Sequence, residues 1–100
     1  MQVQIHSIHF DADRRLIEFV EHKVDKLNTF HDQILSCDVF LRIEKSDDRD
    51  NKLSEVKIHV PGADFFAKRK ASSFEAGIDE SIEAIRRQIR KQKKLRLAGA

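Results

Sequence analysis

Residues 2–9 alternate in polarity, with Val3 and Ile5 on one side and Gln2, Gln4 and His6 on the other. That is the period of a half-buried strand, because successive side chains point to opposite faces. The alternation breaks at Ser7-Ile8, where the strand ends or bulges. Asp11 or Asp13 is placed to cap a helix over residues 12–29, in which Leu16, Phe19, Val20, Val24 and Leu27 recur at helical spacing. Alternation returns over 36–45, with Cys37, Val39, Leu41 and Ile43 inward and Asp38, Phe40, Arg42 and Glu44 outward. The polar run Ser46-Asp47-Asp48-Arg49-Asp50-Asn51 reads as a turn.

A third strand follows at 53–60, with Ser54, Val56, Ile58 and Val60 opposite Glu55, Lys57 and His59. Pro61-Gly62 suits the centre of a type II turn, since proline presets φ and glycine accepts a positive one. A fourth strand at 63–70 turns Phe65 and Ala67 inward and Phe66, Lys68 and Lys70 outward. In the last helix, Ser72 and Glu75 have the spacing of a capping box. Its apolar residues Phe74, Ile78, Ile82, Ile85 and Ile89 fall within about 80° of one another around the axis. Arg87, Arg90, Lys91 and Lys94 fall on the opposite side. The order β-α-β-β-β-α predicts an α+β domain, a four-stranded sheet with two helices packed on one face and the other face open.

The composition fits one folded domain. The chain has 100 residues, 40% of them hydrophobic and 36% charged, with three Gly and one Pro, which leaves little room for linkers. No apolar stretch is long enough to cross a bilayer, and the N-terminus lacks the apolar core of a signal peptide. A single cysteine excludes an intrachain disulfide, and a soluble cytoplasmic protein is the economical expectation.

Charge changes the picture more than composition does. The net charge is +2, but residues 1–62 carry 9 Lys/Arg against 12 Asp/Glu, whereas residues 63–100 carry 10 against 5. From Arg86 to Arg96 there are seven cations (Arg86, Arg87, Arg90, Lys91, Lys93, Lys94, Arg96) and no acid. A helix C-terminus gains from two or three cations opposite its dipole, and this run exceeds that need. Self-repulsion on this scale points to a polyanionic partner. Lys68, Arg69 and Lys70 on the strand feeding the helix are candidates for the same patch, with Arg69 reaching round the sheet edge because its parity is inward.

Other chemistry is weakly signalled. Cys37 is in phase with its apolar neighbours and reads as a buried structural thiol. The five histidines are scattered, and His6 and His9 point to opposite strand faces, so no metal site is expected. Asp47, Asp48 and Asp50 lack the spacing of a calcium loop and read as a solvated turn. No glycine-rich phosphate loop or nucleophile elbow is present, so neither an enzyme nor a cofactor is expected. The open sheet face carries Phe40, Arg42, Lys57 and Phe66 as secondary candidates. Aromatics among cations can stack bases, but the element order is not that of an RRM, and Phe40 with Phe66 as a cross-strand pair is preferred. A partner protein seated on that face is the rival from another class, and a general binder of structured RNA is a third possibility.

The segments MQVQIHSIHFDADRRLIEFVEHKVDKLNTF, CDVFLRIEKSDDRDNKLSEVKIHVPG and FFAKRKASSFEAGIDESIEAIRRQIRKQKKL resemble the ribosome hibernation-promoting factor family. That family includes the ribosome-associated translation inhibitor and was once called sigma-54 modulation protein. The resemblance runs over residues 1 to about 95. It is carried most clearly by Ala76-Gly77-Ile78-Asp79, similar to the family's A-A-I-D, by Arg87-Gln88 with the basic stretch after it, and by Leu16, Phe19 and Val20. Ser73-Phe74-Glu75 departs from the Asp-Met-Tyr found in many members.

The resemblance implies a fold related to double-stranded RNA-binding domains. It also implies a factor that binds the small ribosomal subunit and its 16S-type RNA across the messenger and transfer RNA sites, in slow growth or stress. The implied RNA-contacting residues are Arg86, Arg87, Arg90, Lys91 and Lys94 with Lys68 and Lys70, and the charge pattern adds Lys93 and Arg69. A single ribosome-binding domain over residues 1–100 is expected, ordered over about 1–95, without the dimerisation domain of long members and monomeric off the ribosome. No membrane and no small-molecule substrate are expected as partners.

Overall fold

The computed structural model describes residues 1–45 and 49–98, and the side chains of residues 1–45 and 49–95. Strand β1 (Gln2–Ile8) leads to helix α1 (Arg14–Asp25) and a 3-10 turn at Lys26–Thr29. Strands β2 (Ser36–Ile43), β3 (Lys52–Val60) and β4 (Ala63–Ala71) follow, and helix α2 (Phe74–Ala98) closes the chain. The sheet order is β1-β2-β3-β4, with β1 parallel to β2 and the other pairs antiparallel. The parallel pair is joined through α1, as a parallel connection requires a crossover. Of the predicted central turn, Ser46, Asp47 and Asp48 lie outside the described residues.

Both helices cover one face. Cys37, Val39, Leu41, Val56, Ile58, Phe65 and Ala67 from the sheet meet Val20, Val24, Phe74, Ile78, Ile82, Ile85 and Ile89 from the helices in one core. The strand phases and the apolar helix stripe therefore follow the sequence pattern. Gly62 has φ +80°, as the turn between β3 and β4 demands. Asp13 caps α1, accepting the Leu16 N–H at 2.8 Å.

Three local expectations differ. The helix expected over 12–29 is α-helical only to Asp25. There Asn28 donates to the Asp25 carboxylate at 3.0 Å and the Thr29 hydroxyl to the Lys26 carbonyl at 2.7 Å, side-chain bonds that compete with the helical ladder. The capping box of Ser72 and Glu75 does not form, because the cap is Ser73, whose Oγ accepts the Ala76 N–H at 3.1 Å. Ile43, expected inward, is 46% exposed because it is the last residue of β2, opposite the first of β3 at the end of the sheet. Leu53 shows the converse: it has outward parity yet is buried, flanked in register by Arg42 and Lys70. Long cationic side chains lay their aliphatic stems over such positions.

Helix and sheet approach closely at Gly77. A Cβ there would sit 2.8 Å from the Ser54 hydroxyl. This contact sets the height of α2 above β3 near the start of the helix.

Candidate nucleic-acid interface

Helix α2 has 25 residues, so its axis is about 37 Å long at 1.5 Å per residue. The molecule measures 49 × 25 × 18 Å, and the helix accounts for most of its long dimension. Among the described side chains of α2, the last buried one is Ile89: Arg90, Lys91, Lys93, Lys94 and Leu95 are exposed and Gln92 is half-buried. The helix thus runs past the core as a cationic arm. Arg96 is on α2, but its side chain lies outside the described ones.

The cations divide by their position around the axis. Arg86 faces the 3-10 turn: its Nε lies 3.2 Å from both Glu83 carboxylate oxygens, its Nη2 bonds the same carboxylate, and its guanidinium sits 5.5 Å from the Phe30 ring centre. The hydrogen bond from Arg86 holds the Glu83 carboxyl below the usual range, and the guanidinium charge adds to this; the same pairing raises the Arg86 pKa. Lys93 donates from Nζ to the Phe30 carbonyl at 2.6 Å, tying the arm to the turn. Arg90 and Lys94 complete a half-open groove of about 270 Å³ floored by Phe30 and Ile89. Arg87, Arg90, Lys91 and Lys94 make no hydrogen bond or ion pair among the described residues, though Arg87 and Arg90 help lower the Glu83 carboxyl.

The strand cations are placed differently. Lys68 and Lys70 are exposed at outward positions of β4, on the face of the sheet opposite the one that packs against α2. Each also faces an acid: Lys68 is 3.8 Å from Glu55 and Lys70 is 2.8 Å from Glu44, and the Lys70 hydrogen bond holds the Glu44 carboxyl low. Arg69 is half-buried at the edge, donates to the Lys68 carbonyl at 2.8 Å, and lines a cleft with Asp79, Glu80, Glu83 and Arg87.

The expected pairing of Phe40 with Phe66 does not occur. Strand β3 separates them, with Phe40 opposite Glu55 and Phe66 opposite Lys57. Phe40 instead stacks on His6 of β1, with ring centres 4.7 Å apart and planes 14° from parallel. Phe66 is 48% exposed at the outer edge, and Arg42 is exposed at the end of β2. Beside half-buried Lys57, His59 bridges Asp64 at 2.8 Å and Asp38 at 3.2 Å, linking three strands across the open face. Sequence reading missed this chain because its members are remote along the sequence, although the register signal (outward positions on adjacent strands) was there to find. Cys37 is fully buried, and burial, with Asp38 adding, pushes its thiol up to about 12.

Fold and surface together define a class: a small α+β domain with a half-covered mixed sheet and a long last helix whose Arg87, Arg90, Lys91 and Lys94 have no ion pair among the described residues. The chain belongs to the family described as sigma 54 modulation protein / S30EA ribosomal protein, whose model matches residues 3–96. It is 31% identical to the ribosome hibernation promoting factors of Azotobacter vinelandii and Escherichia coli K12 over 93 residues, covering 93% of this chain and 83% and 94% of those proteins. It is 30% identical to the ribosome hibernation promotion factor of Deinococcus radiodurans over 96 residues, but spans only 50% of that protein's length. Among solved structures, a ribosomal subunit interface protein from Coxiella burnetii superposes with a TM-score of 0.82 at 19% identity, covering 94% of this chain and 99% of that one. The Thermus thermophilus Protein Y N-terminal domain superposes with a TM-score of 0.78 at 17% identity, covering 91% and 98%. At these identities the structural likeness concerns the fold.

Proposed function

We propose that this domain binds the small ribosomal subunit and silences translation by lying in its RNA channel across the messenger and transfer RNA sites, during slow growth or stress. The observation that carries the reading is the row Arg87, Arg90, Lys91 and Lys94, exposed on a helical arm and left without an ion pair among the described residues. Such a row is costly in isolation and is stabilised by phosphates. Membership of the family and the names of its curated relatives point the same way. The chemistry is non-enzymatic: phosphate neutralisation supplies affinity, and the fit of the domain to a folded RNA channel supplies specificity. A ribosomal partner places the protein in the cytoplasm.

The test is sedimentation of purified small subunits with the full chain at low and at raised salt. Co-sedimentation at low salt that declines steeply with salt supports the reading. A chain that stays in the supernatant at low salt overturns it.

A further inference from the structure

Arg86 differs from the other arm cations in a way that suggests another task. Its charge is already answered by Glu83, through hydrogen bonds from Nε and Nη2. A phosphate would have to compete with that carboxylate, so Arg86 is a poor phosphate ligand. What the pairing does accomplish is to fix the guanidinium plane. Glu83 grips it from one side and the Phe30 ring lies 5.5 Å beneath it, while Lys93 holds the Phe30 backbone through its carbonyl at 2.6 Å. The side chain is still 32% exposed and lines the groove that Arg90 and Lys94 border.

A fixed guanidinium on an aromatic ring, facing an open groove with an apolar floor, offers a flat cationic surface to a planar partner. Nucleic-acid bases stack on such surfaces. Arg90 and Lys94 lie one helical turn apart, with Cβ atoms about 5–6 Å from each other. That separation suits neighbouring phosphates of one strand. We propose that the groove between α2 and the 3-10 turn is a subsite for one unpaired nucleotide of RNA, its base stacked on the Arg86–Phe30 platform and its flanking phosphates on Arg90 and Lys94. A groove of about 270 Å³ has room for one base and not for a duplex. The two unpaired cations favour a strand continuing along the helix over a free nucleotide, whose charge is concentrated at one end.

This assignment rests on the proposed RNA-binding function and deepens it. It separates two roles that the charge run merges: Arg86 stacks, whereas Arg90 and Lys94 neutralise.

The experiment compares two fluorescein-labelled strands of equal phosphate number, an oligoadenylate of about six nucleotides and an abasic ribose-phosphate strand, by anisotropy with the full chain. The oligoadenylate should bind about tenfold more tightly, within the range set by one base stack. Arg86→Lys keeps the charge and removes the plane, so it should erase that difference and leave the salt slope unchanged. Arg90→Gln with Lys94→Gln should weaken both strands alike and reduce the slope by roughly 0.7 per charge. Equal binding of the two strands by the unaltered chain overturns the subsite, a result that no folding defect can produce. Retention of the difference by Arg86→Lys overturns the platform, and displacement of the strand by an equal concentration of adenosine monophosphate overturns the assignment to RNA. Small-subunit sedimentation run alongside separates failure of the subsite from failure of the function: a chain that sediments with subunits but ignores bases has lost only the subsite.

Discussion

The Gln88 side chain of α2 hydrogen-bonds both backbone groups of Phe66 on β4: its Nε2 donates to the carbonyl at 2.7 Å, and its Oε1 accepts the N–H at 3.2 Å. Strand β4 is an edge strand, and an edge leaves a row of unpaired backbone groups open to other chains. Gln88 therefore acts as a one-residue extension of the sheet, and it fixes the rotation of α2 about its axis. With Gln88 turned to β4 and Arg86 to the 3-10 turn, Arg87, Arg90, Lys91 and Lys94 are left pointing outward.

Gln88→Glu retains the shape and the acceptor but replaces the donor with a second acceptor facing the Phe66 carbonyl. Loss of one exposed hydrogen bond and a new repulsion should cost about 1–2 kcal/mol, or a fall in Tm of roughly 4–16 °C for a chain of this size. Chemical denaturation and thermal melts read this directly. Size-exclusion chromatography at rising concentration should also show more self-association, because the edge is reopened.

Gly77→Ala should destabilise even though alanine is the better helix former by about 0.8–1.0 kcal/mol. The new Cβ would meet the Ser54 hydroxyl at 2.8 Å, and overpacking of this kind costs about 1–3 kcal/mol. In a Ser54→Ala background the same change should become neutral or stabilising. A double-mutant cycle in urea gives the coupling, and additive effects would show that the two residues do not set the helix height together.

His59 makes stability depend on pH. The hydrogen bond to Asp64, and with it that to Asp38, raises its pKa above the usual 6.5 despite opposition from partial burial. Protonated His59 joins β2 to β4 across β3, so its contribution is fully present below pH 6.5 and is lost as pH rises through the raised native value. The Tm should fall across that interval, and His59→Gln should flatten the profile between about pH 5 and 8.

Salt dependence should reflect the cations without an ion pair among the described residues and not the whole run. Five to seven phosphate contacts, the number suggested by counting charges, would give a log–log slope of roughly −3.5 to −6. With Arg86, Lys68 and Lys70 already facing Glu83, Glu55 and Glu44, the row of Arg87, Arg90, Lys91 and Lys94 should give roughly −2.8 to −3.6. Reversing the charge of Arg87, Arg90, Lys91 and Lys94 should abolish small-subunit binding, whereas Lys68→Glu with Lys70→Glu should weaken it only modestly. Sedimentation across a salt series measures both.

The strands and helices were legible because each buries one face, and the periods of two and 3.6 residues survive in Cys37-Val39-Leu41 and in Phe74-Ile78-Ile82-Ile85-Ile89. The cationic arm was legible for a similar reason, since seven cations without an acid need no fold to be noticed. What failed were relationships between elements. Phe40 and Phe66 share a face, which alternation shows, but only the strand order places β3 between them. Ser72 has the capping-box spacing to Glu75, yet it is Ser73 that accepts the Ala76 N–H once the chain leaves β4 at Ala71.

By itself, then, the sequence determined the apolar face of each element away from the sheet ends, which helix carries the positive charge, and the β-α-β-β-β-α order, because burial and charge follow single positions and short periods. Tertiary structure decided which cations are paired. Arg86 and Lys68 look no different from Arg90 and Lys94 along the chain, and acids at Glu83 and Glu55 set them apart. It also decided that Phe30, more than fifty residues away, lies beneath Arg86 and turns a charge into a platform. The physical reason is that pairing and stacking act over a few ångströms in space, and separation along the chain does not report that distance.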